Sequence, residues 1–170
     1  IVNANIIKKV YFPREILPIS VTTSNLVNFL ISSLIIFLAL IISGIGFSKY
    51  ILFFPVIVLV QYLVCLACAF ILSAVTVYLR DIEHLISVLI NVLFYATPIV
   101  YSLSDLPPKF AGLLKLNPMA TIITAYRDCL FFQQMPDLTS LGILAVIAFI
   151  GVVVGYHIFK HLEKNFGEEL

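Results

Sequence analysis

Charged residues are scarce in this sequence. Lysine and arginine supply 10 of its 170 residues and aspartate and glutamate 9, together 11%, against roughly 25% in a soluble domain. So few ionic groups cannot cover a water-facing surface, which excludes a soluble globular protein. The net charge of +1, with basic residues dispersed rather than gathered in a stripe, argues against a nucleic-acid partner. Cysteine is scarce too. Cys65 and Cys68 stand one turn apart in an apolar stretch without a flanking turn, so their C-x-x-C spacing reads as helix packing rather than a metal or redox pair. Cys129 stands alone and supports no disulfide framework, and no metal site is expected. Neither H-E-x-x-H nor G-x-S-x-G occurs. Asp81, Glu83 and His84 offer acid, base and ligand groups, but they cluster where an aqueous loop is required anyway, so a membrane-embedded enzyme is the distant alternative and no catalytic residue is assigned.

Apolar residues make up 62% of the chain and fall into blocks: no Asp, Glu, Lys or Arg occurs in 16–48, 50–79, 85–104 or 138–159. Each block reaches the roughly 20 residues that carry a helix across about 30 Å of hydrocarbon. None alternates polar and apolar residues as a barrel strand does. In lipid the backbone must satisfy its own hydrogen bonds, so an all-α membrane protein is expected, with spans at 21–42, 51–79, 85–101 and 138–159.

Before the first span, 3–12 (NANIIKKVYF) suits a short amphipathic helix with Asn3 or Asn5 as its cap and Pro13 as its boundary. A membrane-surface helix is the lesser alternative. Gly44, Gly46 and Lys49 mark the first turn, and Arg80 to His84 the second. Pro98 follows Phe94 by four residues, so the third span should kink or break there. Between the last two spans, 103–137 holds apolar clusters too short to cross and broken by Pro107, Pro108 and Pro118. Re-entrant or interfacial helices fit them. The chain opens on Ile1 without a signal-length apolar stretch, so sequence upstream is expected.

Basic residues set the orientation. Lys8, Lys9, Arg14, Arg80, Lys160 and Lys164 fall on one side of the four spans and Lys49, Lys109, Lys115 and Arg127 on the other, which favours the first set as cytoplasmic. Phe94, Tyr95 and Tyr101 flank the Pro98 break, and Tyr126 precedes Arg127 and Asp128. Tyrosine joins a flat apolar ring to a hydroxyl, the pairing a sugar surface needs, although Tyr101 also fits an interfacial aromatic belt. Arg127 could meet phosphate or pair with a carboxylate. Asn25, Asn28, Gln61 and Asn91 sit inside spans, where unpaired amides are costly, so they are expected to face other helices or a channel. His157 is read as an interfacial histidine.

Four stretches in order, NANIIKKVYFPREILPIS, YLRDIEHLISVLINVLFYATPIVYS, LNPMATIITAYRDCLF and EKNFGEEL, resemble the type-2 ABC exporter permeases that move O-antigen, capsular or teichoic-acid polymers. The resemblance covers essentially the whole chain and corresponds to the last four of that family's six spans. It implies a single transmembrane domain over 1–170, with 1–15 as a cytoplasmic coupling segment whose Ile6, Lys8, Lys9, Tyr11 and Arg14 contact a separate ABC ATPase. It implies that 103–137 forms paired re-entrant gate helices outside, and that Phe94, Tyr95, Tyr101, Tyr126 and Arg127 border the substrate path. A second permease copy, a lipid-linked glycan and membrane lipids are the other implied partners, in the cytoplasmic membrane of a bacterium. No G-x-x-x-x-G-K-[ST] occurs, so no cofactor is expected on this chain and ATP is used by the partner subunit. Export of drugs or simple lipids is the alternative within the same superfamily.

Overall fold

The computed structural model describes residues 15–78, 82–97 and 117–162, and among them every regular element is helical. The order is α1 (Ile16–Ile42), a 3-10 segment (Lys49–Phe53) that runs directly into α2 (Phe54–Tyr78), α3 (Ile82–Ala96), α4 (Pro118–Leu130) and α5 (Leu138–Leu162). Three stretches are long and apolar enough to cross a membrane among the described residues: Ile16–Ile42, Lys49–Val77 and Leu138–Leu162. α1 starts before the expected position 21 because Pro18 falls in its first turn, where backbone N–H groups have no helical partner to lose.

The expected third span, 85–101, is not among them. α3 has 15 residues, about 22 Å at 1.5 Å per residue, short of the roughly 30 Å of a hydrocarbon core. Its last residue, Ala96, stands two before Pro98, and the Thr97 N–H reaches the Phe94 carbonyl at 3.3 Å in a tightened final turn. Of the 103–137 region, α4 and the turn after it are described; 98–116 lies outside the described residues, as do 1–14, 79–81 and 163–170.

Gly44 and Gly46 adopt φ of +72° and +71°, a left-handed geometry that glycine reaches without a Cβ clash, and they reverse the chain after α1. α2 therefore runs antiparallel to α1. Near the turn the Phe37 and Phe54 rings meet at 5.0 Å, and farther along the Thr23 and Tyr62 hydroxyls meet at 3.1 Å. α5 runs parallel to α2 in the most extensive helix pairing of the fold. Ile57 and Leu141 share a buried cluster at one end, and the Phe70 and Phe159 rings lie 5.9 Å apart at the other. Between them, Gly151 and Gly155 bring the backbones close: a Cβ on Gly151 would stand 3.1 Å from the Ala67 Cβ, and one on Gly155 would stand 3.1 Å from the Phe70 Cβ. This G-x-x-x-G spacing is the small-residue device that lets helices approach in lipid, where no hydrophobic force between them is available.

Lys160 Nζ meets Glu15 Oε1 at 3.0 Å, joining the end of α5 to the start of α1. At the opposite end Gln133 Nε2 donates to the Ile45 carbonyl at 2.6 Å. Outer surfaces are apolar, with Ile42 77% and Leu52 78% exposed, an arrangement that requires hydrocarbon rather than water around it.

Candidate functional site

α4 is too short to cross a membrane and packs along the half of α2 nearest Lys49. Asn117 starts it: its Oδ1 accepts from the Met119 N–H at 3.0 Å, and Pro118 occupies a position where its missing N–H costs nothing. Ile122, Ala125 and Cys129 face inward at helical spacing and join Ile57, Val60 and Val64 of α2 in one cluster. Cys129 Sγ donates to the Tyr50 carbonyl at 2.7 Å, which explains a buried thiol that the sequence left without a role.

Tyr126 is the anchor of this seat. Its hydroxyl donates to Gln61 Oε1 at 2.7 Å, and its ring lies 5.9 Å from Phe29 and 5.6 Å from Phe54. Burial pushes the Tyr126 phenol well above its ordinary pKa, so it remains a neutral donor. Phe37 extends the ring series to Phe47 at 6.1 Å. Phe29, Ser33, Phe37, Phe54, Tyr126 and Arg127 are among the residues lining an apolar cavity of about 160 Å³ between α1 and α4. The other side of α4 is polar: Thr121, Thr124 and Asp128 border a second cavity of about 150 Å³ with Asp137 and Ser140 at the start of α5. Asp137 caps α5 by accepting from the Thr139 and Ser140 N–H groups at 3.0 and 3.3 Å, and Asp128 accepts from Gln134 Nε2 at 2.7 Å. α4 is thus a wedge with an aromatic face and a hydroxyl-carboxylate face.

A second clasp ties this wedge to α3. Thr97, buried at 4% exposure, donates from Oγ1 to the Leu93 carbonyl at 2.6 Å and accepts from Asn117 Nδ2 at 3.1 Å. One asparagine therefore caps α4 with its oxygen and holds the end of α3 with its nitrogen.

Of the residues singled out in the sequence, Tyr126 and Arg127 come together at the aromatic cavity. Phe94 is 55% exposed on α3. The helix includes Tyr95, but that side chain lies outside the described residues, as does Tyr101. Ile6, Lys8, Lys9, Tyr11 and Arg14 lie outside them too, as do Arg80 and Asp81. Gln61 faces another helix as expected, whereas Asn25, Asn28 and Asn91 are exposed. His157 donates locally from Nδ1 to the Val153 carbonyl, 2.7 Å away. Two features escaped the sequence reading. Gly151-x-x-x-Gly155 was visible as a motif, but nothing marked Thr97 and Asn117 as partners except that each directly precedes a proline.

The ABC-2 type transporter family matches residues 2–131. Over 98% of its length the chain is 33% identical to the O-antigen export system permease protein RfbA of Myxococcus xanthus, covering 65% of that protein. It is also 33% identical over its full length to an O-antigen export system permease protein RfbA of Klebsiella pneumoniae, covering 66% of it. The chain thus spans about two thirds of the length of these relatives. With three helices long and apolar enough to cross a membrane among its described residues and a family match over more than half its length, it is a multi-pass membrane protein that belongs to the ABC-2 type transporter family.

Proposed function

We propose that this chain is part of the membrane permease of an ATP-driven exporter that moves a lipid-linked polysaccharide across the cytoplasmic membrane of a bacterium. The observation that carries the reading is identity of 33% over essentially the whole chain to relatives named as O-antigen export permeases. O-antigen, capsule and teichoic acid share the chemistry of a hydroxyl-rich polymer, and the first is the cargo those names support. ATP is hydrolysed on a separate ABC subunit that docks on Ile6, Lys8, Lys9, Tyr11 and Arg14, and a second permease copy completes the conduit. The Glu15–Lys160 pair fits this coupling, since it links the last residue of the 1–15 segment to the last span. Phe94, Tyr95 and Tyr101 border the path, while Tyr126 and Arg127 form the α4 wall beside it.

The test is depletion of the full-length protein followed by analysis of lipid-linked glycans on each leaflet. Glycan accumulating on the cytoplasmic leaflet is expected. Normal delivery of the glycan, with a drug or simple lipid retained instead, would transfer the chain to the alternative cargo.

A further inference from the structure

We propose that α4 is a fixed wall of the conduit and not a moving gate: it keeps its seat on α2 and on the turn between α1 and α2 throughout the transport cycle. This deepens the exporter reading above and rests on it.

A helix that opens and closes has to swing about one end or slide along its neighbour. α4 is held against both motions. At its start Asn117 Nδ2 donates to Thr97 Oγ1 at 3.1 Å, tying it to the end of α3. At its exit Gln133 Nε2 donates to the Ile45 carbonyl at 2.6 Å, tying it to the turn between α1 and α2. Between these ends the Tyr126 hydroxyl donates to Gln61 of α2, and the Cys129 thiol to the Tyr50 carbonyl of the 3-10 segment, both at 2.7 Å. The anchors therefore extend over the whole of this 13-residue helix, about 20 Å at 1.5 Å per residue. At 100° per residue Ile122, Tyr126 and Cys129 fall within about 60° of one another. The face that carries the bonds is thus also the packed one, with Ile122 and Cys129 each 2% exposed. A slide of one helical turn, about 5.4 Å, would break every one of these bonds together.

The exit turn carries an independent mark of fixation. Gln133 has a φ of +51°, a left-handed geometry that a residue with a Cβ adopts only at a cost. Such a backbone persists where the surrounding contacts over-determine it. Here the Gln133 side chain is bonded to Ile45, and its neighbour Gln134 is bonded twice to Asp128, from N–H to the carbonyl at 2.9 Å and from Nε2 to Oδ1 at 2.7 Å. A swinging end would relax to a commoner backbone, whereas this one is held in place against the α1–α2 turn. Every partner named lies on this chain, so the seat does not depend on what packs around the domain. α2 is in turn interlocked with α5 through Gly151 and Gly155. α4, α2 and α5 therefore act as one body, and the movement that passes the cargo takes place against that body and not within it.

The experiment uses the full-length permease with its ATPase in cells. Native cysteines are replaced by serine, which keeps a hydrogen-bond donor at position 129, and Ile45→Cys is combined with Gln133→Cys. A short bis-methanethiosulfonate bridges the pair, mass spectrometry establishes that bridging is complete, and dithiothreitol removes the bridge. Glycan export with the bridge in place should stay within about twofold of export by the same cells after its removal. A larger loss that is recovered on reduction overturns the fixed wall, because α4 then has to leave its seat for the polymer to pass. A second measurement needs no substitution: amide hydrogen exchange through α4 in the purified permease–ATPase complex, with and without a non-hydrolysable ATP analogue, should agree within about twofold. Any larger difference between the two states overturns the proposal even where the cysteine variant fails to assemble. If depletion of the permease retains lipid-linked glycan while the bridge arrests export, the wall alone fails. If depletion retains none, the cargo reading fails, and hydrogen exchange still decides whether α4 moves.

Discussion

Replacing Gly155 by alanine tests what sets the α2–α5 distance. The new Cβ would stand 3.1 Å from the Phe70 Cβ, 3.2 Å from Ile71 Cγ1 and 3.3 Å from the Ala67 carbonyl oxygen, whereas non-bonded carbon atoms settle at about 3.5–4.0 Å. Two of those three atoms are fixed to the α2 backbone and cannot rotate away, so the helices must separate by a few tenths of an ångström. Overpacking of this kind costs about 1–3 kcal/mol, offset by up to about 1 kcal/mol of helix propensity gained on replacing glycine. Gly142→Ala supplies the same propensity gain with no atom within 4 Å, so the difference between the two variants isolates the contact at about 1–3 kcal/mol. Gly151→Ala differs again, because its nearest neighbour is the Ala67 Cβ at 3.1 Å. Combining it with Ala67→Gly removes that atom and should restore stability, while the same second change leaves Gly155→Ala clashing with Phe70. The assay is equilibrium unfolding of the full-length protein by SDS in mixed micelles. If Gly155→Ala tracks Gly142→Ala within about 0.5 kcal/mol, or if Ala67→Gly rescues both variants equally, close glycine packing does not hold this pair together.

Tyr126→Phe keeps the ring contacts but leaves the Gln61 amide without its donor, and in a membrane setting should cost about 0.6–2 kcal/mol in the same assay; adding Gln61→Leu should recover most of it, and no recovery would mean the pair is not coupled. Asn117→Ala removes the α4 cap and the bond to Thr97 together, for a loss of about 1–2 kcal/mol, whereas Asn117→Asp keeps only the cap; hydrogen exchange at the start of α4 should separate them, identical exchange in both would dismiss the cap, and wild-type exchange in Asn117→Asp would dismiss the Thr97 contact. Cysteines introduced at Lys49 and Glu83 test the orientation: an impermeant reagent outside the cell should modify the first and spare the second, and the reverse pattern inverts the topology. Tyr11→Ala should weaken ATPase co-purification or uncouple hydrolysis more than Lys8→Ala, because buried aromatic anchors carry more binding energy than rim charges; intact association and coupling in Tyr11→Ala removes 1–15 from the contact.

The membrane character of this protein, three stretches able to span and the end of α3 ahead of Pro98 were legible in the sequence, because each follows from interactions within one turn or from the length of an uncharged run. Hydrocarbon offers no partner for backbone N–H and C=O groups, so a long apolar block is obliged to be a helix whatever surrounds it. The seat of α4 was not legible. Tyr126 stood out as an amphipathic ring suited to a surface, yet its partner Gln61 is 65 residues away, and only the fold decides that the two meet. Asn25, Asn28 and Gln61 are the same kind of residue in the same kind of helix; the structure engages one, half-buried, in a hydrogen bond and leaves two exposed. The glycine spacing on α5 announced a close approach, but its target, the Ala67–Phe70–Ile71 surface of α2, depends on the parallel alignment of two helices separated by the whole of α3 and α4. In lipid every helix is apolar on most sides, so hydrophobic periodicity no longer marks the inward face. What chooses the neighbours is small-residue fit and a handful of amide, hydroxyl and ionic contacts, and those exist only once the helices have assembled.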